Sequence, residues 1–231
     1  MRPNKENSII LIPARAGSKG VPNKNSKPFA NGKSLVERAI EVALAEFPKE
    51  KIILSTDDEI LWKQAEKSGI TILKREEHLA SDTAGMLEVM LDVVDKQATK
   101  PDFLILFQPT SPFRTKNHLK EALNLFQEGD QALVSVNEPK GHPFYTLFQQ
   151  EGEFINKFQK NTIVRRQDLP AMYDVNGLIY IFEIESLRKE SWVNFERIRP
   201  MPVSLFDAID IDTEEDWFFA ETLEKGLKTN I

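Results

Sequence analysis

The feature that most constrains this chain is an alternation. Short β-branched apolar runs, "SIILIP" (8–13), "KIILST" (51–56), "ITIL" (70–73), "FLILFQ" (103–108), "ALVSV" (132–136) and "GLIYIF" (177–182), are separated by amphipathic stretches near 34–46, 58–68, 85–98, 117–128 and 213–227. Several of the runs are apolar on both faces, as strands buried in a parallel sheet are. Repeated strand–helix–strand succession requires right-handed crossovers, which cover both faces of the sheet with helices. The expected fold is therefore α/β, a three-layer α/β/α sandwich around a mostly parallel sheet. At 231 residues the chain is long enough to bury a sizeable core, and a single domain over 1–231 is expected. The stretch 137–176 breaks the rhythm. "HPFYTLF" followed by "QQEGEF" predicts a β-hairpin or arm around a glycine-containing turn. An excursion of this length suits an interaction arm or a cover for an active site.

Composition narrows the partners. Thirty Lys and Arg against 36 Asp and Glu leave a net charge of -6, which argues against a broad nucleic-acid surface. There is no cysteine, so disulfides, thiolate catalysis and zinc–sulfur sites are excluded and a reducing, cytoplasmic setting is expected. "MRPNKENS" lacks the apolar core of a signal peptide. No apolar run approaches the ~18 residues of a membrane span, so no membrane partner is expected.

Against that acidic background, "IPARAGSKGVPNKN" (12–25) gathers cations behind the first strand. Ligands of open α/β sheets lie beyond the carboxyl ends of the strands. Gly17 and Gly20 could take positive φ and turn backbone N–H groups toward an anion. Arg15 could bridge phosphate oxygens, with Lys19 and Lys24 as point charges. The alternative is a solvated basic turn. Neither a G-x-G-x-x-G fingerprint nor a true P-loop is present. "GKSLVE" instead places Ser34 and Glu37 at capping-box spacing, which predicts a helix start.

Three further segments carry chemistry. "FQPTSPFR" (107–114) offers Gln108, Thr110, Ser111 and Arg114 on a proline-stiffened loop, suited to a polyhydroxylated ligand or to an ordinary helix-capping turn. "DAIDIDTEEDW" (207–217) sets Asp210 and Asp212 two apart, which in a strand puts both carboxylates on one face, as Mg²⁺ prefers. Helix capping is the alternative there, and Thr213 with Asp216 has that spacing. "VRRQDLPAMYDVNGLIYIF" (164–182) reads as two oppositely directed arginines leading through an Asn176–Gly177 turn into a strand. One arginine could fork onto a substrate carboxylate, or the pair could be solvated. The histidines are too scattered for a triad or a zinc cluster. His118 is expected on an exposed helix face, and His142 alone merits a functional test. No Gly-x-Ser-x-Gly elbow exists, which disfavours a serine hydrolase.

Together "IPARAGSKGVPNKN", "KREEHLASDTA" (74–84), "QPTSPFR", "RRQDLP", "NGLIYIF" and "DIDTEED" resemble, in order and over roughly 9–220, the CMP-sialate synthetase family, the acylneuraminate cytidylyltransferases. The resemblance implies a nucleotide-diphospho-sugar-transferase-like fold. It implies transfer of CMP from CTP to the anomeric hydroxyl of a nine-carbon 2-keto acid sugar, with Mg²⁺ and release of pyrophosphate, in the supply of activated sugar for surface glycans. By position, Arg15, Ser18, Lys24 and Asn25, with Ala14 beside them, stand where the family holds the CTP phosphates. Arg75, Ala80 and Ser81 stand where it reads cytosine and ribose. Gln108, Thr110, Ser111, Tyr145, Arg166 and Tyr180 fall around the sugar, with Arg166 rather than Arg165 on its carboxylate. Asp210 and Asp212 match the metal ligands, and with Arg15 and Lys24 they form the implied catalytic set. Residues 137–170 correspond to a dimerisation arm, which implies a homodimer. Some members carry lysine where this chain has Tyr145, and aromatic residues at Val193 and Asn194, so sialic, legionaminic and pseudaminic acids all remain open. Another acidic sugar such as Kdo, or a catalytically silent nucleotide-sugar binding protein, is the competing expectation.

Overall fold

Alternation inside the first apolar run decides the layering. In β1 (Ser8–Pro13), Ile10 and Ile12 enter one hydrophobic core while Ile9 and Leu11 enter another, because successive side chains leave a strand on opposite faces. The computed structural model describes residues 1–17, 20–30, 32–81, 83–158 and 165–229. Among these, β1 is followed by α1 (Leu35–Leu44), β2 (Ile52–Thr56), α2 (Glu59–Glu66), β3 (Thr71–Lys74), α3 (Glu77–Ala80), α4 (Met86–Asp95) and β4 (Phe103–Leu106). Then come α5 (Lys116–Leu125), β5 (Ala132–Asn137), α6 (Pro143–Thr146), β6 (Phe148–Glu151), β7 (Phe154–Lys157), β8 (Asp174–Glu183), α7 (Ile184–Lys189), β9 (Ile198–Pro202) and α8 (Glu214–Thr229).

Seven strands form one sheet in the order β3-β2-β1-β4-β8-β5-β9. Every neighbouring pair is parallel except those of β8, which runs antiparallel to both β4 and β5. The helices α1, α2 and α5 pack on the face of Ile10, Leu54 and Ile105. The opposite face, with Leu11, Ile53 and Leu104, is covered by α4 and α7. Three layers result, as the strand–helix rhythm requires. Residues such as Leu11 and Ile105 are fully buried, and truncating one to alanine would cost about 2–5 kcal/mol.

A third, smaller core matters most for function. It joins Val21 and Phe29 from the segment after β1, Phe113 after β4, Ile211 from the segment ahead of α8, and Trp217 and Ala220 from the start of α8. The Phe29 and Trp217 rings meet edge to face at 5.1 Å. Hydrophobic burial thus ties the N-terminal basic loop to a segment some 190 residues downstream in sequence, a separation the Lys24–Ile211 contact spans. The capping box predicted for α1 is present. Ser34 accepts from the Glu37 N–H, and the Glu37 carboxylate accepts from Ser34 N–H at 2.7 Å.

Several expectations are corrected. The edge strand β9 and the short helix α7 were not expected. Pro200 and Pro202 are tolerated in β9 because it bonds to β5 on one side only. Asn176–Gly177 is not a turn. Both residues lie within β8, beside an irregularity in the β5 register between Val134 and Val136. A Cβ at 177 would stand 2.4 Å from Gln108 Oε1, the end of a flexible side chain that would have to move aside. Asp210 and Asp212 are in no strand; they occupy an irregular segment ahead of α8. In the excursion, "HPFYT" forms the helical turn α6, and the hairpin lies later, as β6 and β7 around Gly152 with φ 64.

Candidate active site

The carboxyl ends of β1, β3 and β4 open onto one cavity of about 350 Å³, lined by Arg15, Lys24, Asn25, Arg75, Gln108, Thr110 and Asp212 with Pro13, Gly20, Met86 and Pro109. Its basic side is built by local geometry. Gly17 supplies a left-handed turn at φ 69, and Ala16 N–H donates to Asp57 Oδ1 at 2.8 Å, anchoring the loop to the end of β2. Arg15 Nη1 donates to Ala80 O at 3.4 Å. The Asn25 amide donates to Arg15 O, while its Oδ1 is buried without a hydrogen-bond partner. Gly20 differs from expectation. Its φ is not positive; instead a Cβ at 20 would fall 1.8 Å from Asp212 O. The residue is glycine because the basic loop lies directly against the acidic segment.

That contact is completed by Lys24, which is buried and donates to Ile211 O at 2.6 Å and to Asp212 Oδ1 at 2.9 Å. Ile211 N–H in turn donates to Thr110 O at 2.9 Å, so the proline-stiffened loop joins the same junction. Arg75 is held by Ser55, through its carbonyl at 2.9 Å and its hydroxyl at 3.3 Å. Burial lowers the Arg75 guanidinium from its ordinary range; Asp57 opposes the shift and neighbouring Arg15 adds to it. Burial likewise raises the Asp210 carboxyl. A Thr110 hydrogen bond pulls it back, Asp212 pushes it further up, and Lys24 lowers it. Asp210 Oδ1 is buried and accepts no hydrogen bond.

Other expected site residues stand apart from this cavity or serve the frame. Ala14 is buried beneath the loop, its N–H bonded to Ser55 O. Ser81 is exposed and donates to His78 O at 2.9 Å. Ser111 is buried against Gly177. Tyr180 stacks on Phe182 and meets Trp192 edge-on; burial, reinforced by Asp210, pushes its hydroxyl up to about 12. Tyr145 belongs to α6 in the arm, with Lys157 Nζ 5.6 Å from its ring. Ser18, Lys19 and the side chain of Arg166 lie outside the described residues. Arg165 is not in extended chain; it pairs with Asp168 across a 3-10 turn.

Arg114, expected to offer hydrogen bonds to a ligand, is buried and donates to the main-chain carbonyls of Gln108, Gly177 and Leu178. Burial pushes it down to about 9, which leaves it charged at neutral pH, with Asp210 as its counter-charge. His118 is not on an exposed face. Its Nδ1 caps the α5 N-terminus by accepting from Thr115 N–H, and its Nε2 lies 3.7 Å from Asp207. His142 caps α6 and bonds Pro170 O at 2.9 Å, a structural role. Sequence reasoning missed Met86 in the cavity wall and Asp57 behind it. The signal for Asp57 was its place in "STDD" at a strand end. Among the described residues no cluster of three His, Cys, Asp or Glu is arranged to hold a metal.

A family model described as "Cytidylyltransferase" matches residues 9–225. The chain belongs to the cytidylyltransferase family. An N-acylneuraminate cytidylyltransferase from Streptococcus agalactiae serotype V is 32% identical over 213 residues, 90% of this chain and 51% of that protein. The chain therefore spans about half the length of the streptococcal relatives it matches. A CMP-N,N'-diacetyllegionaminic acid synthase from Legionella pneumophila is 31% identical over 223 residues, 93% of this chain and 95% of the relative. In fold, the cytidylyltransferase chain resembles a CMP:2-keto-3-deoxy-manno-octonic acid synthetase solved with CTP, at TM-score 0.68 and 17% identity, covering 96% of this chain and 99% of that one. Among the described residues, no helix of this cytidylyltransferase chain is long and apolar enough to cross a membrane.

Proposed function

We propose that this chain transfers CMP from CTP to the anomeric hydroxyl of a nine-carbon 2-keto acid sugar of the sialic and legionaminic type, releasing pyrophosphate. The observation that carries the reading is the junction of Lys24 with Asp212 at 2.9 Å on the wall of one cavity shared with Arg15 and Arg75. A triphosphate needs fixed cations and a carboxylate-held divalent metal within its own length, and few other ligands need both. The names of the relatives supply the sugar class.

In this reading the sugar hydroxyl attacks the α-phosphorus in line with the departing pyrophosphate, and the protein contributes position and charge. Arg15 and the remaining donor of Lys24 would neutralise the leaving pyrophosphate, with Asn25 and Ser18 beside them. Arg75, Ala80 and Ser81 would hold the nucleoside. Gln108, Thr110, Ser111, Tyr145, Arg166 and Tyr180 would surround the sugar, with Arg166 on its carboxylate. Asp210 and Asp212 would hold Mg²⁺: both are hard oxygen donors, and Asp210 keeps a buried oxygen without a hydrogen-bond donor. The ion would supply neutralisation of the phosphate charge. The arm would pair with a second copy, since Phe154, Ile155 and Phe158 are each about two-thirds or more exposed. The cytoplasm, where no disulfide is required, is part of the same proposal, as is activated-sugar supply to surface glycans.

The test mixes CTP, Mg²⁺ and a panel of eight- and nine-carbon 2-keto acid sugars and measures pyrophosphate. Release only with nine-carbon acids is the expected result. Release with Kdo alone, or none with any sugar, would refute it.

A further inference from the structure

Asp57 stands at the carboxyl end of β2, where the site as read above gives it no part. Its Oδ1 accepts from Ala16 N–H at 2.8 Å, so it fixes the backbone between Arg15 and the left-handed Gly17. It also lies beside a concentration of positive charge. Arg75 is buried, Arg15 acts on it as a like charge, and Asp57 is the largest opposing influence. Arg15, Arg75 and Lys24 line one cavity. Lys24 already has Asp212 as its carboxylate. On the arginine side Asp57 acts on Arg75 ahead of Asp92, and because it does not line the cavity it can offset charge without obstructing a ligand.

We infer that Asp57 is a positioning and charge-setting residue: it holds the Ala16 backbone and, as the counter-charge behind Arg15 and Arg75, limits how tightly the cavity retains pyrophosphate. The inference rests on the proposed function, because it takes pyrophosphate to be the product that must leave this cavity. With less counter-charge on its arginine side, a cavity lined by three cations would hold polyphosphate more tightly in every state of the cycle. Uniform binding of that kind lowers turnover once release limits it. Asp57 is exposed to solvent, so its effect is modest and screened by salt.

The two roles separate by substitution. Asp57→Asn keeps an acceptor oxygen for Ala16 and removes the charge, whereas Asp57→Ala removes both. Inorganic pyrophosphate is titrated into wild type and both variants by calorimetry, with excess Mg²⁺, at low and high salt. Asp57→Asn is expected to bind pyrophosphate about two- to fivefold more tightly than wild type at low salt. The gain should shrink as the screening length falls from about 10 Å at 0.1 M to about 3 Å at 1 M. Asp57→Ala is expected to bind more weakly than Asp57→Asn, because the loop loses its anchor. Equal affinity of Asp57→Asn and wild type would overturn the charge role. Equal affinity of the two variants would overturn the anchor role. Should wild type fail to bind pyrophosphate at all, the proposed function itself falls, an outcome distinct from either.

Discussion

Around the strand-end cavity, Lys24, Asn25, Arg75 and Arg114 each find partners within their own chain, and a small core clamps the two halves of the site together. The arm is built the other way. Leu147, Phe148, Phe154, Ile155 and Phe158 are exposed, and among the described residues its two strands pair only with each other. A two-stranded ribbon of that kind is marginal alone in water. The first region can hold its geometry as a single chain, while the second needs a surface to lie on. If that surface is a second copy, folding and nucleotide binding depend on the core and oligomeric state depends on the arm.

The largest effect should come from breaking the acidic side of the junction. Asp212→Ala is expected to lower turnover by about 10²–10³, with an unchanged circular dichroism spectrum, because the Asp212 side chain is 71% exposed and carries little packing. Near-normal pyrophosphate release would remove Asp212 from the site. Next is Gly20→Ala, whose Cβ would meet Asp212 O at 1.8 Å. Forcing loop and acidic segment apart is expected to cost about 1–3 kcal/mol of stability, read as a lower melting temperature, together with weaker CTP binding. An unshifted melt would mean that the two segments part without penalty.

The arm should respond differently. Phe154→Glu with Ile155→Glu is expected to convert a dimer to a monomer in light scattering while changing the stability of the core by no more than about 0.5 kcal/mol. A wild type that is monomeric at micromolar concentration would contradict the pairing. The smallest effect is expected from Gly177→Ala, whose Cβ would displace the Gln108 side chain. The sugar KM should rise several-fold with the CTP KM unchanged; equal rises in both would argue against a sugar role for Gln108.

The layered fold was legible because strand and helix periods, and residues such as Ile9 through Ile12, report burial directly. The cap formed by Ser34 and Glu37 was legible for the same reason, since it is local chemistry. What was hidden depends on neighbours far away in sequence. Gly20 carries no sign that its missing Cβ makes room for Asp212, and Gly177 looked like half of a turn whereas it lies within β8 beside Gln108. The strand β9, which carries Pro200 and Pro202, was hidden because edge position cannot be read locally. Asp210 and Asp212 were placed on one strand face, whereas Ile211, buried between them, and the Lys24 contact hold them in an irregular segment. His118 looked exposed because Asp207, which faces it, comes from a distant loop.

The central claim is that the cations after β1 and the carboxylates before α8 act on one triphosphate. A crystal structure with CTP and Mg²⁺ tests it most directly. The account expects phosphate oxygens within about 3 Å of Arg15 and Lys24 and the ion bound between the same phosphates and Asp210 and Asp212. A nucleotide bound at full occupancy elsewhere, touching only one of the two groups, would contradict it.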